Sequence, residues 1–220
     1  RDLLCESLGL ETSRLIIPHQ IHGARVRRID EAFFMQTDAV KAATLEGVDA
    51  VMTDVPKVCV SVSTADCIPI LIYDRVHHAV AAVHAGWRST VLRISEAVLQ
   101  AMAGAYGTRP QDVEAAIGPG ISLEAFEVGD EVYEAFRTAG FPMEEMARRY
   151  PATGDGSGRM EKWHLDLWQA NRDLLEGCGV PSARIRMAGV CTYLHSERFF
   201  SARRLGIRSG RILNGIFLTD

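Results

Sequence analysis

The chain has 220 residues, of which 47% are hydrophobic and 24% charged, so it can bury a sizeable core. These values are typical of globular proteins and exclude a disordered, collagen-like or coiled-coil chain. The net charge of −4 disfavours a nucleic-acid partner, because proteins that bind phosphate backbones are usually basic. No apolar stretch approaches the ~18–20 residues that a membrane helix requires, and we expect no membrane partner.

Cysteine usage and the first residues bear on where the protein works. Five cysteines are an odd number, and their spacing matches neither a disulfide ladder nor a zinc finger. Such thiols are typical of a reducing compartment, so we expect a cytoplasmic protein. The start of the chain lacks the apolar segment and cleavage site of a signal peptide. It also lacks an initiator methionine, and we expect that a short N-terminal segment is missing.

The first ninety residues predict mainly strands. Apolar runs and period-2 alternation place these strands at residues 15–17, 24–29, 58–63, 68–73 and 78–83. The last two runs are joined by four residues, which is typical of an antiparallel hairpin.

The hydrophobic period changes after residue 86. Apolar residues at helical spacing predict one helix from Trp87 through Met102, ended by Gly104 and Gly107. We predict further helices near residues 130–139 and 167–175, strands at 113–117, 184–190 and 211–218, and a glycine-rich surface loop at 153–158. Strands and helices are mixed without a strict βαβ rhythm, which predicts an α+β fold with helices outside a mixed sheet. One domain over residues 1–220 is the simplest organisation.

The hairpin carries the first chemical signal. If Tyr73 and His78 close the turn, Cys67 lies directly opposite His84, and opposed Cβ atoms are ~4.5–5.5 Å apart. A thiol and an imidazole at that distance can share a metal ion or form a nucleophile–base pair. A slip of one residue would turn one of them to the other face. A buried cysteine and a capping histidine that never interact are the alternative interpretation.

The flanking residues favour a site. Pro69 restricts the Cys67 segment to the edge or the start of a strand. His84 comes where a strand gives way to a helix, whose first N–H groups could hold an anion. His22 lies in a loop before Gly23, and a lone loop histidine is more often an ordinary surface residue.

The segment of residues 199–204 pairs two phenylalanines with two arginines. It could form an aromatic wall for a base together with a cationic contact for phosphate. The alternative is a core-facing phenylalanine pair beside solvated arginines.

Eight motifs, in this order, resemble the YfiH family. They lie at residues 20–23 (Gln-Ile-His-Gly), 64–69 (Thr-Ala-Asp-Cys-Ile-Pro), 84–88 (His-Ala-Gly-Trp-Arg), 117–119 (Ile-Gly-Pro), 126–129 (Phe-Glu-Val-Gly), 165–167 (Leu-Asp-Leu), 191–192 (Cys-Thr) and 199–204 (Phe-Phe-Ser-Ala-Arg-Arg). This family was long described as multicopper polyphenol oxidoreductases or laccase-domain proteins. It is now described as purine nucleoside phosphorylases with adenosine deaminase and methylthioadenosine phosphorylase activity. Ser89 and Ala202 depart from the family's usual glycine and aromatic residue.

The resemblance implies a layered α/β sandwich, with mixed sheets covered by outer helices and the site on its rim. It implies one zinc ion, with copper as the alternative metal, and the implied ligands and catalytic residues are His22, Cys67 and His84. The implied substrates are phosphate and a purine nucleoside: adenosine, inosine or methylthioadenosine. Their products are a free base and a ribose 1-phosphate, and adenosine would also be deaminated. The residues that we expect to contact substrate or phosphate are Arg88, Phe200, Arg203 and Arg204.

Two other functions stay open. Two histidines and a cysteine also form the ligand set of blue copper, so a copper-dependent polyphenol oxidase is one alternative. A laccase needs several copper centres, however, and the chain has seven histidines and no His-x-His pair. The other alternative is a metal-free hydrolase with Cys67 as nucleophile and His84 as base. The metal content of the purified protein distinguishes these functions from the zinc-dependent phosphorylase, because a zinc-bound thiolate is a poor nucleophile.

Overall fold

The computed structural model describes residues 1–151 and 161–219. The strands are β1 (Leu15–Ile16), β2 (Val26–Arg28), β3 (Ala50–Thr53), β4 (Cys59–Thr64), β5 (Ile68–Asp74), β6 (Ala79–Ala85), β7 (Val113–Ile117), β8 (Glu127–Val128), β9 (Ala147–Pro151), β10 (Glu161–Leu165), β11 (Ile185–Met187) and β12 (Ile212–Ile216). The helices are α1 (Asp2–Leu8), α2 (Glu31–Phe34), α3 (Asp38–Leu45), α4 (Trp87–Val91), α5 (Ile94–Tyr106), α6 (Asp130–Thr138), α7 (Met143–Met146), α8 (Leu167–Gly177) and α9 (Ala202–Leu205). The glycine-rich loop predicted at 153–158 lies outside the described residues.

A six-stranded mixed sheet forms the middle layer, in the order β11-β7-β5-β6-β3-β2. The β5–β6 hairpin lies at its centre and is antiparallel, as are the β5–β7 and β3–β6 pairs. The outer pairs β2–β3 and β7–β11 are parallel. Because side chains alternate along a strand, Ile70 and Ile72 of β5 face one side of the sheet while Leu71 faces the other.

Each face of this sheet buries a separate apolar core. Helices α5 and α8 cover the face of Ile70, where they pack with Phe136 of α6. The three-stranded sheet β1-β4-β12 covers part of the opposite face, through Val60 and Val62 of β4. A third sheet, β8-β10-β9, packs beside α6. The structure confirms the predicted fold class of mixed sheets covered by outer helices.

The hairpin register differs from the prediction by two residues. Pro69, not Cys67, pairs with His84, and the ladder continues to Asp74 opposite Ala79. The strands run further because the buried Asp74 carboxylate accepts the backbone N–H groups of residues 76 and 77, which closes the turn beyond it. A shift of two residues preserves the face, so Cys67 and His84 still project to the same side.

The single helix predicted after residue 86 is two helices, α4 and α5. Arg93, between them, has a left-handed backbone with φ of 58°, and its guanidinium donates to the Ala139 carbonyl (2.9 Å) and to Glu96 (2.6 Å). Gly104 lies inside α5, and Gly107, with φ of 76°, ends it. None of the described helices is long and apolar enough to cross a membrane.

Candidate metal centre

Three side chains from separate parts of the chain converge at one end of the two packed sheets. His22 follows β1, Cys67 precedes β5 and His84 lies near the end of β6, and their donor atoms all lie within 4.8 Å of one another. The two imidazole rings meet edge to face, with centroids 4.8 Å apart. His84 is buried, Cys67 half-buried and His22 exposed, so the cluster opens to solvent beside His22. The structure therefore brings together the three predicted metal ligands.

Asp49, which sequence reasoning missed, organises this cluster. Its fully buried carboxylate accepts the Nδ1–H of His84 and the backbone N–H of His22, each at 2.8 Å. It also accepts the backbone N–H groups of Gly23 (2.8 Å) and Ile21 (3.2 Å). An ionised carboxylate only accepts, so His84 carries its proton on Nδ1 and presents Nε2 to the cluster, as ligating histidines in zinc sites do. The available signal was an acid inside the apolar run of residues 48–52.

The same contacts set the charges of the cluster. Burial by itself raises the pKa of Asp49, but the hydrogen bonds from His84 and Gly23 outweigh it and leave the pKa below its ordinary value. Burial also raises the pKa of the Cys67 thiol, yet hydrogen bonds with His22 and His84 lower it to about 6. Burial lowers the pKa of His84, while its bonds to Asp49 and Cys67 raise it to about 9. Without a metal the cluster therefore favours a Cys67 thiolate beside a protonated His84. The thiolate is the form in which cysteine ligates a metal, and a bound metal would take the place of the His84 Nε2 proton.

Gly86, at the start of α4, provides the space in which the donors meet. A Cβ atom at this position would lie 3.0 Å from Sγ of Cys67 and 3.0 Å from Cδ2 of His22. A thiolate and two imidazoles held this closely, with one open side, fit a tetrahedral zinc ion that has three protein ligands and one free position. Helix α4 has five residues, and an anion at its first N–H groups stays a prediction.

Asp66 ties the bend before β5 to the C-terminal part of the chain. Its backbone is left-handed, with φ of 91°, and its carboxylate accepts the Thr192 hydroxyl and the Arg203 backbone N–H, each at 2.7 Å. Its carbonyl accepts the N–H of Ile121 at 2.8 Å. These bonds place the segments of residues 191–192 and 199–204 beside Cys67.

A cavity of about 280 Å³ opens above the cluster. Gln20 and Ser63 form one wall, where the Gln20 amide is bound to the backbone of Ser63 at 2.7 and 2.9 Å. Ala202, Ile207 and Arg211, from the last part of the chain, form another wall. A larger cavity, of about 380 Å³, lies on the open face of β5, β7 and β11 and contains none of the cluster residues. The smaller cavity is therefore the candidate substrate site.

Arg88 and Phe200, two of the four residues that we expected to contact substrate or phosphate, lie on the surface. Arg88 is exposed, and its guanidinium stacks 4.2 Å above the Trp87 ring. Phe200 is 47% exposed, and its ring covers Gly210, where a Cβ atom would come within 2.6 Å of it. Neither residue is among the described residues that line the cavity.

Arg203 and Arg204 lie in helix α9, not at the end of a strand. The Ser201 hydroxyl accepts the Arg204 N–H at 3.1 Å and begins this helix, because serine is a favourable N-cap. Arg203 donates to the Glu127 carbonyl (2.8 Å), and Arg204 lies near the Tyr193 hydroxyl (3.4 Å). Neither guanidinium lies among the described lining residues of the cavity. Contacts of these arginines with substrate stay predictions.

Comparison with known proteins places the chain in a family. Residues 1–219 match the model described as multi-copper polyphenol oxidoreductase laccase. A purine nucleoside phosphorylase of Bacteroides thetaiotaomicron is 47% identical, over 98% of this chain and 77% of that protein. Adenosine deaminase RL5, from an unknown prokaryote, is 44% identical over 97% of this chain and 79% of its own length.

Two solved structures share the fold. YfiH of Bacillus licheniformis superimposes with a TM-score of 0.85 at 26% identity, covering 98% of this chain and 78% of its own. YlmD of Geobacillus stearothermophilus gives 0.83 at 30% identity, covering 99% and 78%. The fold and its relatives define an enzyme built on layered mixed sheets. The chain belongs to the multi-copper polyphenol oxidoreductase laccase family, the YfiH-like family that its motifs predicted.

Proposed function

We propose that the protein is a zinc-dependent purine nucleoside phosphorylase that also deaminates adenosine. The observation that carries this proposal is the cluster of His22, Cys67 and His84 on the floor of an open cavity. The names of the relatives support the substrate class, since they are a purine nucleoside phosphorylase and an adenosine deaminase. Adenosine, inosine and methylthioadenosine are the nucleosides that we propose.

Two reactions follow from this proposal. In phosphorolysis, a phosphate oxygen forms a bond to ribose C1′ while the bond from C1′ to the base breaks. The base takes the electron pair and a proton, and ribose 1-phosphate remains. In deamination, the oxygen of a water molecule forms a bond to C6 of the purine and ammonia leaves.

The residues of the chain hold the reactants. Zinc, when bound, would act as a Lewis acid with one position free for a reactant. Asp49 keeps the proton of His84 on Nδ1, so Nε2 stays directed at the cluster. The three N–H bonds from residues 21–23 to Asp49 fix the loop that carries His22. The bond from Arg203 to Asp66 supports the proposal that residues 200–204 lie close to a bound nucleoside.

A copper-dependent polyphenol oxidase is the second candidate, favoured by the description of the family model. The same three donors suit copper as well as zinc. Several copper centres would need more ligands than the chain offers. It has seven histidines, and within residues 1–151 and 161–219 this cluster is the one group of three ligating side chains.

A metal-free cysteine hydrolase is the third candidate. Asp49, His84 and Cys67 could act as the carboxylate, the base and the nucleophile of a catalytic triad. The hydrogen bond between His84 and Asp49 is 2.8 Å long. If the protein is such a hydrolase, Cys67 attacks the substrate and activity does not depend on a metal. If it is a zinc-dependent phosphorylase, removal of the metal abolishes activity.

Two predictions about the whole chain complete the proposal. We propose that residues 1–220 form one domain, which the family match over residues 1–219 supports. We also propose that the protein works in the cytoplasm, which its five free thiols support, because thiols persist in a reducing compartment.

Metal analysis combined with mass spectrometry of a nucleoside panel, with and without phosphate, tests the proposal. We expect about one zinc per chain and base release that depends on phosphate. Cys67→Ser should lose both, whereas Cys178→Ser, at the end of α8 and outside the cluster, should keep both. Equal zinc content in wild type and Cys67→Ser would refute the ligand assignment. Full activity after metal removal would support the hydrolase, and oxygen uptake with phenols by a copper-loaded protein would support the oxidase.

A further inference from the structure

Residues near the end of the chain form one wall of the cavity. This wall includes Arg211, which the sequence analysis did not identify as a site residue. Arg211 lies just before β12 and lines the cavity above the cluster. It is the one arginine or lysine among the described lining residues. His19 also lines the cavity, but its Nδ1 is bound to Glu46 at 2.7 Å. Arg211 therefore supplies the permanent positive charge of this wall.

The Arg211 guanidinium is held in place by its own loop. Nη1 donates to the carbonyls of Ser209 (2.7 Å) and Gly210 (3.0 Å), and Nη2 donates to the carbonyl of Ile207 (3.3 Å). The Phe200 ring, two residues before α9, covers Gly210 of this loop. The head group is thus oriented by neutral oxygens, and no carboxylate of the described residues forms an ion pair with it. Arg211 is exposed, so its charge is accessible to an anion that enters the cavity.

The donors that remain form a fork. An arginine has five N–H groups, and the three bonds to carbonyls leave Nε–H and one N–H of Nη2. Nε–H lies on the Nη2 side of the guanidinium, where it and one N–H of Nη2 can donate to the same ligand. Such an edge matches two oxygens of a carboxylate or phosphate, whereas a single hydroxyl or ring nitrogen uses only one donor.

We infer that Arg211 binds and orients the phosphate co-substrate, an inference that rests on the proposed phosphorylase function. A purine base and its ribose are uncharged, so phosphate is the reactant that gains most from a fixed cation. Arg211 holds two of its oxygens, which leaves another oxygen free to attack C1′. Phe200 positions the loop of Arg211 by packing on Gly210.

Steady-state kinetics of Arg211→Gln test this assignment, with Arg208→Gln as the control. Arg208 is an exposed arginine of the same loop that does not line the cavity. Base release from inosine is measured against phosphate concentration, and deamination of adenosine without phosphate is measured separately. Charge-assisted hydrogen bonds predict a rise of about 10- to 100-fold in the KM for phosphate of Arg211→Gln. Arg211→Lys, which keeps the charge without the fork, should fall between wild type and Arg211→Gln.

Zinc content, deamination and the control variant should stay within about twofold of wild type. Inorganic phosphate should raise the melting temperature of wild type and of Arg208→Gln, and leave that of Arg211→Gln unchanged. An unchanged KM for phosphate in Arg211→Gln would overturn the assignment. Loss of zinc or of deamination in the same variant would also overturn it, because Arg211 would then support the structure of the site. A wild-type protein without phosphate-dependent base release would instead refute the proposed function.

Discussion

At each end of the β5–β6 hairpin a buried aspartate is bonded to a histidine of the hairpin, Asp74 from the turn itself and Asp49 from the residue before β3. At the turn, Asp74 binds Nδ1 of His77 at 2.8 Å, and at the open end Asp49 binds Nδ1 of His84 at the same distance. Both aspartates are fully buried and both also accept backbone N–H groups. The aspartate–histidine pairs at the two ends are therefore equivalent in burial, in hydrogen-bond length and in their bonds to backbone N–H groups.

The surroundings of the two histidines make the difference. The pair at the turn joins residues three apart, and among the described residues it belongs to no group of three potential metal ligands. The pair at the open end joins residues 35 apart, and His84 faces a thiol and a second imidazole. An aspartate–histidine pair thus fixes a ring and its tautomer, and the chemistry depends on which other donors the fold brings to the free nitrogen.

The sharpest test of this contrast replaces each aspartate by asparagine. Four groups donate to Asp49, and an amide has one oxygen and cannot accept all of them, so Asp49→Asn should release His84 and the loop of His22. We expect zinc affinity to fall by about 10- to 100-fold, measured by competition with a chelator. Asp74→Asn should bind zinc as wild type does. Equal loss in both variants would show that the effect is general destabilisation.

The space around the donors gives the second test. Gly86→Ala adds a methyl group 3.0 Å from Sγ of Cys67 and from Cδ2 of His22, closer than van der Waals contact. The backbone conformation there (φ −72°, ψ 171°) is one that alanine adopts readily. We expect lower zinc occupancy with little change in helix content, checked by elemental analysis and circular dichroism. Gly104→Ala, inside α5 with no neighbour within 4 Å, should keep its zinc and gain about 0.5–1 kcal/mol in stability. Full occupancy in Gly86→Ala would mean that the donors need no such space.

Acid titration of stability tests the pair at the turn. Burial raises the pKa of Asp74, but the neighbouring Thr108 hydroxyl and the N–H groups of His77 and Val76 outweigh it and hold the pKa below its ordinary value. The ionised carboxylate therefore stabilises the fold above about pH 4, and this contribution is lost as the pH falls through the lowered pKa. Asp74→Asn should lower the free energy of unfolding by about 1–3 kcal/mol at pH 7, and the difference should shrink near pH 3.

Urea unfolding at a series of pH values measures this difference. Asp38→Asn is the control, since the Asp38 side chain is fully exposed and its contact with Lys41 is long, at 3.9 Å. The control should follow the wild-type curve. A difference between Asp74→Asn and wild type that is independent of pH would contradict the role assigned to the carboxylate charge.

The smallest effect concerns the thiols outside the cluster. Cys59 is buried beside Cys5. Burial, and to a smaller extent the neighbouring Cys5, raises the pKa of the Cys59 thiol to about 11. The thiol therefore stays neutral and packs as an apolar group. Cys59→Ala should cost about 1 kcal/mol in a thermal or urea melt and leave zinc in place. The half-buried Cys178 should lose less on the same change. Loss of zinc from either variant would contradict the assignment of Cys67 as the sole thiolate ligand.

Sequence patterns predicted the central hairpin and the pairing of Cys67 with His84, although the predicted register was wrong. The error was harmless for the site because a shift of two residues leaves every side chain on its face. Local patterns did not show that Asp74 extends the ladder, since its carboxylate acts through bonds to backbone groups in the turn. They also missed the break at Arg93, because the Ala139 carbonyl that holds it lies in a distant segment.

The sequence alone determined the central hairpin, the helices near residues 130–139 and 167–175, the order of the motifs and two of the three donors of the cluster, because periodicity and spacing act over a few residues. It did not show shorter elements such as β3, α3 and α9. Tertiary structure decided the rest. It brought His22 to the hairpin through Asp49, tied Asp66 to the C-terminal segment, and placed Arg211 in the cavity instead of Arg203 or Arg204. These contacts join residues far apart in the chain, and their energies depend on burial and on directed hydrogen bonds that no local pattern records.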